Sequence, residues 1–306
     1  MGVLRGLCLG DGTLLYLEVT EICYNSVHMI SKLLVIAGAG SYPRLVVEGA
    51  KRAGIPEVDV VRMKGSTDRA TCRAADKVFP IALCEIAANI RKFGKLGYDG
   101  CIIAGQINPL SLFRGGFDHE VQRWLDELKV KTAHTVFSKL IEKFANEGLT
   151  TLPASLFMDD AIPGVGLLTN RELTEIEQKD IEHAKHVAHD VGIHDVGQTV
   201  MVKHGMVLAV EAFEGTNKAI RRGGKLGGKG SVVFKAAREG HDFRFDIPVV
   251  GLKTLKVMKR AGATALAFQA GRLIMLDREK VIEYANRHSI AIVGIDSGLP
   301  SAPLRP

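Results

Sequence analysis

With 306 residues, 46% of them hydrophobic and 24% charged, the chain has material for two cores of ordinary size and is neither disordered nor bilayer-embedded in composition. A formal net charge of +6 and a pI near 9.0 favour anionic partners: phosphorylated metabolites, nucleic acid or an acidic membrane face. One tryptophan, five tyrosines and no alternation of basic with aromatic residues speak against a base-stacking platform.

Cys8, Cys23, Cys72, Cys84 and Cys101 are odd in number and scattered, with no CxxC pair. Neither a structural zinc site nor a secreted disulfide framework is expected, and a reducing cytoplasm fits. No apolar run reaches the ~18 residues that span a bilayer. Met1–Val27 carries Arg5, then Asp11, Glu18 and Glu21, without a long apolar stretch or a small-residue cleavage site, which is unlike a signal peptide. Residues 1–28 are expected to be an extension, disordered or the product of an upstream start, with the first domain opening at Met29.

KLLVIAGAG (Lys32–Gly40) is a short apolar run ending in glycines, as for a buried parallel strand entering a tight turn. A helix should follow with Pro43 in its first turn, then a strand at VDVVRM, a helix at IAANIRKFGKLG and a strand at DGCIIAGQI. Val121–Asn146 reads as mostly helical. This alternation predicts a Rossmann-like domain over 29–160 with a doubly wound, mostly parallel sheet. Pro163, Gly164 and Gly166 break the pattern, so 161–173 is expected as a linker. Thr174 should cap a helix to about Val191, with Glu177 completing a capping box. A hairpin at His204–Gly205, strands at SVVFKAA and DFRFDIPVVG, a helix at LKVMKRAGA, a second hairpin around Gly271, a helix at Arg278–Arg287 and the strand AIVGID complete a mixed α/β domain over 174–298, followed by a tail at 299–306. The fold class is α/β.

The densest chemistry lies between Val210 and Gly230. Glu211 and Glu214 stand beside Thr216 and Asn217, followed by Lys218, Arg221, Arg222, Lys225 and Lys229 among six glycines. Glycine lets N–H groups approach an anion, cations neutralise it, and carboxylates hold a divalent ion. The stretch reads as a phosphate site with a metal; the plainer alternative is a solvated basic hairpin loop. GAGSYP, holding Gly38, Ala39 and Gly40, lacks the third glycine of a dinucleotide fingerprint because Pro43 stands there, so it is either a ligand-contacting or a structural turn. Asp246, on the polar side of an alternating FRFDIPVV strand, is a candidate metal ligand or base or a simple outward-facing acid. His183, His186 and His189 drift across a helix face and suit a solvated surface better than a metal site.

The ordered segments KLLVIAGAGSYP, DVGQTVMVKHGMVLAVEAFEGTNKAIRRGG, FRFDIPVVGLKTL and AGRLIMLDREKVI resemble the metal-dependent, two-domain UDP-2,3-diacylglucosamine pyrophosphatases of lipid A biosynthesis. The resemblance implies hydrolysis of UDP-2,3-diacylglucosamine to UMP and 2,3-diacylglucosamine 1-phosphate between two domains, at the cytoplasmic face of the inner membrane. It places the catalytic aspartate at Asp246. The implied ion is Mg2+ (or Mn2+), held by Asp246, Glu211 and Glu214. The phosphate and nucleotide contacts it implies are Gly38, Ala39, Gly40, Gln198, Thr216, Asn217, Arg221, Arg222, Gly223, Gly224, Lys225 and Thr254. Transient membrane contact and a homodimer are expected; nucleic acid is not. Three positions depart from the family pattern. An acidic GDD-like pair is missing where this chain reads VKTAHTVF, Asn217 replaces an aspartate, and Gln269 replaces a glutamate. Each change removes a carboxylate, leaving open a related nucleotide-sugar substrate. A nucleotide-cofactor oxidoreductase is the rival enzyme class, motivated by the GAGSYP turn.

Overall fold

A computed structural model describes residues 30–106, 116–237, 242, 244–245 and 247–296. Chain order gives β1 (Lys32–Ala37), α1 (Tyr42–Arg52), β2 (Glu57–Met63), α2 (Arg69–Ala74), β3 (Val78–Ile81), α3 (Ile86–Gly94), β4 (Gly100–Ala104), α4 (His119–Asp126) and α5 (Ala133–Asn146). The strands form a four-stranded sheet, order β3-β2-β1-β4, and every pairing is parallel. Both faces are covered, which is why β4 and the part of β1 after Lys32 are apolar throughout rather than alternating. The helix starts follow local chemistry. Asp68, Asp118 and Thr132 cap α2, α4 and α5 by accepting from the N–H three residues on, and Pro43 opens α1. Thr151 covers the outer edge of β4 by pairing with Cys101, which is fully buried.

The second half continues with β5 (Gly166–Leu167), α6 (Glu175–Ile193), β6 (Thr199–Lys203), β7 (Met206–Val210), α7 (Thr216–Gly227), β8 (Ser231–Lys235), β9 (Val249–Val250), α8 (Leu252–Ala261), β10 (Ala263–Gln269), β11 (Ile274–Met275), α9 (Arg278–Arg287) and β12 (Ala291–Ile295). Six of these strands form a mixed sheet, order β5-β12-β10-β8-β6-β7. Ile181 and Ala184 of α6 pack on one face, while Ile220, Leu255 and Val281, from α7, α8 and α9, pack on the other. Thr174 and Glu177 form the expected capping box at the head of α6, and β6–β7 is the expected hairpin. Gly166–Leu167, within the stretch expected as a linker, adds an edge strand to β12. No helix among the described residues is long and apolar enough to cross a membrane.

Three local expectations are corrected. The segment expected as a strand from Asp242 turns at Arg244–Phe245 and becomes a strand only at Val249–Val250. Arg244 bends back onto Asp242, donating through Nε and a terminal nitrogen at 2.8 and 2.6 Å, and that fork fixes a turn. The hairpin expected around Gly271 does not form. β10 pairs in parallel with β8 and β12, while β11 pairs with β9. Gly271 takes φ +71° and donates to Pro163 O, so the chain leaves the sheet instead of folding back on it.

The third correction is that the glycine-rich cationic stretch is the helix α7, not a loop. Its glycines are contact residues. A Cβ at Gly223 would meet Met201 Sδ at 2.5 Å, one at Gly224 would meet Ala261 Cβ at 2.5 Å, and one at Gly227 would meet Leu208 at 2.2 Å. Close packing onto the β6–β7 hairpin and α8 thus outweighs the ~1 kcal/mol that each helical glycine costs.

The two halves share apolar contacts through the separate two-stranded β9–β11 pair. Ile247 and Ile274 belong to the same core cluster as Leu33, Val46 and Val58. Phe245 stacks on Phe137 of α5 at 5.3 Å between ring centres, and the His134 ring lies 5.5 Å from it.

Candidate anion site at the strand ends of the second sheet

Register brings the polar groups together. Thr199 opens β6 opposite Lys235, the last residue of β8, and Lys235 in turn neighbours Phe268 near the end of β10. Glu211 follows β7 and donates its N–H to Thr199 O at 2.8 Å. Gln269, 7% exposed, accepts from the Ala237 N–H at 2.7 Å and so fixes the chain as it leaves β8. The carboxyl ends of parallel strands are where open α/β sheets hold ligands.

Lys235 is the centre of this edge and is 5% exposed. Its ammonium donates to Thr216 Oγ1 at 2.8 Å, reaches Thr199 Oγ1 at 3.5 Å and lies 4.0 Å from Glu211 Oε2. Thr216 in turn donates to the Glu211 carboxylate, at 2.9 and 3.0 Å from its two oxygens. A buried cation is tolerated only with such partners. Thr216 is also the first residue of α7. The residue before it, Gly215, has φ +83° and no side chain to cap the helix; Lys218 N–H donates to Gly215 O at 3.0 Å, so the Thr216 and Asn217 N–H groups and the positive end of the helix dipole face the ammonium's side uncapped. Asn217 Oδ1 is buried there without a hydrogen-bond partner. A cation, uncapped N–H groups and hydroxyls in one place have the chemistry of a candidate anion site, with the Glu211 carboxylate as its one group of opposite sign.

The structure distributes the other expected contacts unevenly. Gly38 and Ala39 give their N–H groups to Ala104 O and Gln106 O, both at 2.8 Å, so the first turn closes on the loop after β4 and loses donors that a dinucleotide would use. A Cβ at Gly38 would stand 2.8 Å from Gln106 O, whereas Gly40, at φ +93°, has open space around it. Arg221 and Lys225 lie exposed on α7, and Arg222 turns back to Val210 O and to Glu214 at 2.8 and 2.5 Å. Gly223 and Gly224 lie inside α7, where their N–H groups belong to the helix ladder. Gln198 accepts from Ala236 N–H through its backbone oxygen, and Thr254 sits buried in the first turn of α8. Asp246 lies outside the described residues, as does the extension 1–28. His183, His186 and His189 are exposed.

Of the three carboxylates expected to hold magnesium, Glu211 and Glu214 are described and Asp246 is not. Glu211 is engaged by Thr216 and lies beside Lys235, and hydrogen bonding to Arg222 holds the Glu214 carboxyl below its usual range. Among the described residues no group of three or more His, Cys, Asp or Glu is placed to hold a metal ion.

Sequence reasoning missed Lys235 and Thr199. The available signal was a single lysine closing the otherwise apolar run SVVFK. It also missed a cavity of about 70 Å³ beneath the first sheet, lined by Ile36, Met63, Ile90, Phe93, Phe137 and Phe144 among others. The Phe137 ring that lines the cavity is the one that carries Phe245.

Two family models match the chain in order: the LpxI N-terminal domain over residues 32–161 and the LpxI C-terminal domain over residues 164–293. The chain belongs to the LpxI family. Within that family it is similar to the UDP-2,3-diacylglucosamine pyrophosphatase LpxI of Caulobacter vibrioides, with 29% identity over 279 residues, covering 87% of this chain and 98% of the relative. Among solved structures, the biotin carboxylase of Campylobacter jejuni aligns at a TM-score of 0.26 and 14% identity, covering 66% of this chain and 42% of that one. The biotin carboxylase subunit of a pyruvate carboxylase aligns at 0.26 and 15%, covering 61% and 39%. The chain thus spans less than half the length of those carboxylases, and similarity at that level carries no argument.

Proposed function

We propose that this LpxI-family chain hydrolyses the pyrophosphate bond of UDP-2,3-diacylglucosamine, releasing UMP and 2,3-diacylglucosamine 1-phosphate for lipid A synthesis in the cytoplasm, at the inner-membrane surface. The observation that carries the proposal is the match of both family domains in order, with a relative of that activity aligned over 98% of its length.

The strand-end site supports this reading in chemical terms. Lys235 and the open head of α7 offer fixed positive charge to a diphosphate, and such preorganised charge gains most where oxygens become more negative during reaction. Asp246, by the family pattern, takes the proton of the attacking water. An oxygen–phosphorus bond forms, the bond from that phosphorus to the bridging oxygen breaks, and two phosphate monoesters separate. The apolar cavity beside Phe137 suits part of an acyl chain. A divalent ion, if bound, would be held by Asp246 with Glu211 and Glu214, which in this structure face Thr216, Lys235 and Arg222, and would add positive charge at the diphosphate.

The test is incubation of the full chain with UDP-2,3-diacylglucosamine, following UMP, with magnesium or manganese and with chelator. UMP release supports the reading, and its absence under every metal condition ends it. Asp246→Ala should lower turnover by at least 10²-fold while leaving the thermal midpoint unchanged, the usual cost of losing a general base. Turnover within tenfold of wild type would remove Asp246 from that role.

A further inference from the structure

The cations of α7 that the diphosphate site does not absorb belong to a larger surface. α7 and α8 pack side by side on one face of the six-stranded sheet, with Ile220, Leu255 and Met258 in a common core and a Gly224 Cβ position in contact with Ala261. Their outer sides carry Lys218, Arg221, Arg222 and Lys225 on α7 and Lys253, Lys256, Lys259 and Arg260 on α8, all exposed, and Lys229 follows α7. Neither helix contains an aspartate or glutamate.

Of these nine cations only Arg222 has an ion-pair partner among the described residues, namely Glu214. Elsewhere on the surface cations are interspersed with acids and several are paired, as Arg44 is with Glu48, Lys51 with Asp76, Arg91 with Glu120 and Lys139 with Glu127. A face of one sign repels itself, and its use is attraction of a large anionic partner. Leu226 stands in this face 70% exposed, with Arg222 one turn before it and Lys229 nearly one turn after it. Met206, 64% exposed, lies close by, since its cross-strand partner Lys203 donates to Gly227 O at 2.7 Å. Apolar side chains projecting through a field of lysine and arginine suit the headgroup boundary of an anionic bilayer, whereas a nucleic-acid backbone gains little from a leucine and a methionine.

We infer that the α7–α8 face docks the protein on an anionic lipid bilayer, with Leu226 and Met206 reaching the headgroup boundary. The inference deepens the membrane-surface placement of the proposed function by naming the face that makes the contact, and it is tested without the reaction. It also gives one helix two jobs: α7 turns its head to the anion site and its flank to the lipid.

The test is sedimentation of the full chain with phosphatidylcholine vesicles, with or without about 30% phosphatidylglycerol, at low and high salt. Binding is expected to the mixed vesicles only, and to fall with salt. Lys256→Glu/Lys259→Glu should weaken it by at least 30-fold, since each basic residue near an anionic surface contributes about fivefold and two are lost. Leu226→Asp should weaken it too, with thermal midpoints within a degree or two of wild type for both variants. Equal binding to neutral vesicles, binding unchanged in either variant, or tighter binding to duplex DNA than to mixed vesicles would each overturn the assignment.

Discussion

Lys235 shows how a single residue acquires meaning from register. In the sequence it is one lysine closing an apolar strand. In the fold it faces Thr199 across the sheet, and through Thr216 it is tied to both Glu211 and the head of α7. None of those four positions is within ten residues of all the others, so local pattern could not assemble them. Gln269 teaches the same lesson. Its missing carboxylate suggests a lost ligand, yet its amide oxygen anchors Ala237 where the chain leaves the site. Lys235→Met keeps the stem and removes the charge. If the ammonium binds the diphosphate, turnover should fall by roughly 10²-fold or more with a midpoint close to wild type, because one charge-assisted contact contributes about 1.5–3 kcal/mol and more where charge develops. Comparison of kcat/KM with thermal stability decides it, and unchanged kcat/KM would make Lys235 a structural cation.

At the scale of elements, what was legible was what is written locally. Caps, the His204–Gly205 hairpin and the buried parallel strands follow from neighbouring residues. α7 was not legible, because its three glycines and four cations read as loop chemistry until the partner surfaces Met201, Leu208 and Ala261 are known. The head of α6 offers a pH test. Burial alone would raise the Glu177 carboxyl, but hydrogen bonds from Arg171, Thr264 and Thr174 outweigh it and bring it to about 2 from the usual 4.5. A depressed carboxylate stabilises the fold above its unfolded value, so this contribution is complete above about pH 4.5 and disappears as pH falls toward 2. Its size is on the order of 3 kcal/mol. Urea midpoints from pH 6 to 2.5 should therefore fall more steeply for wild type than for Glu177→Gln, and parallel curves would refute the linkage.

For the whole molecule, two alternating patterns predict two sheets but say nothing about how they meet. The junction is made by short pieces without strong periodicity: Phe245 and Ile247 after the Asp242–Arg244 fork, and Ile274 after the Gly271 turn. These lie where the sequence reading placed a long strand and a hairpin, so the errors of local reading coincide with the junction. Shared contacts predict one calorimetric transition for the whole chain. Phe245→Ala deletes the ring stacked on Phe137 and should cost about 2–4 kcal/mol, either lowering the midpoint or splitting the transition in two. A wild-type trace already resolved into two transitions would mean that the halves are energetically separate.

The covering of β4 by Thr151 has a consequence in thiol reactivity. Cys101 lies under that cover with its sulfur 3.5 Å from Thr151 Oγ1, and burial pushes the thiol up to about 12. Alkylating reagents attack the thiolate, so this sulfur is protected twice, by access and by ionisation. Cys84, by contrast, is exposed. Pulse alkylation at Cys101 therefore runs only as fast as β4 is uncovered, which makes a native cysteine a clock for the opening of the first sheet, with no label introduced into the chain.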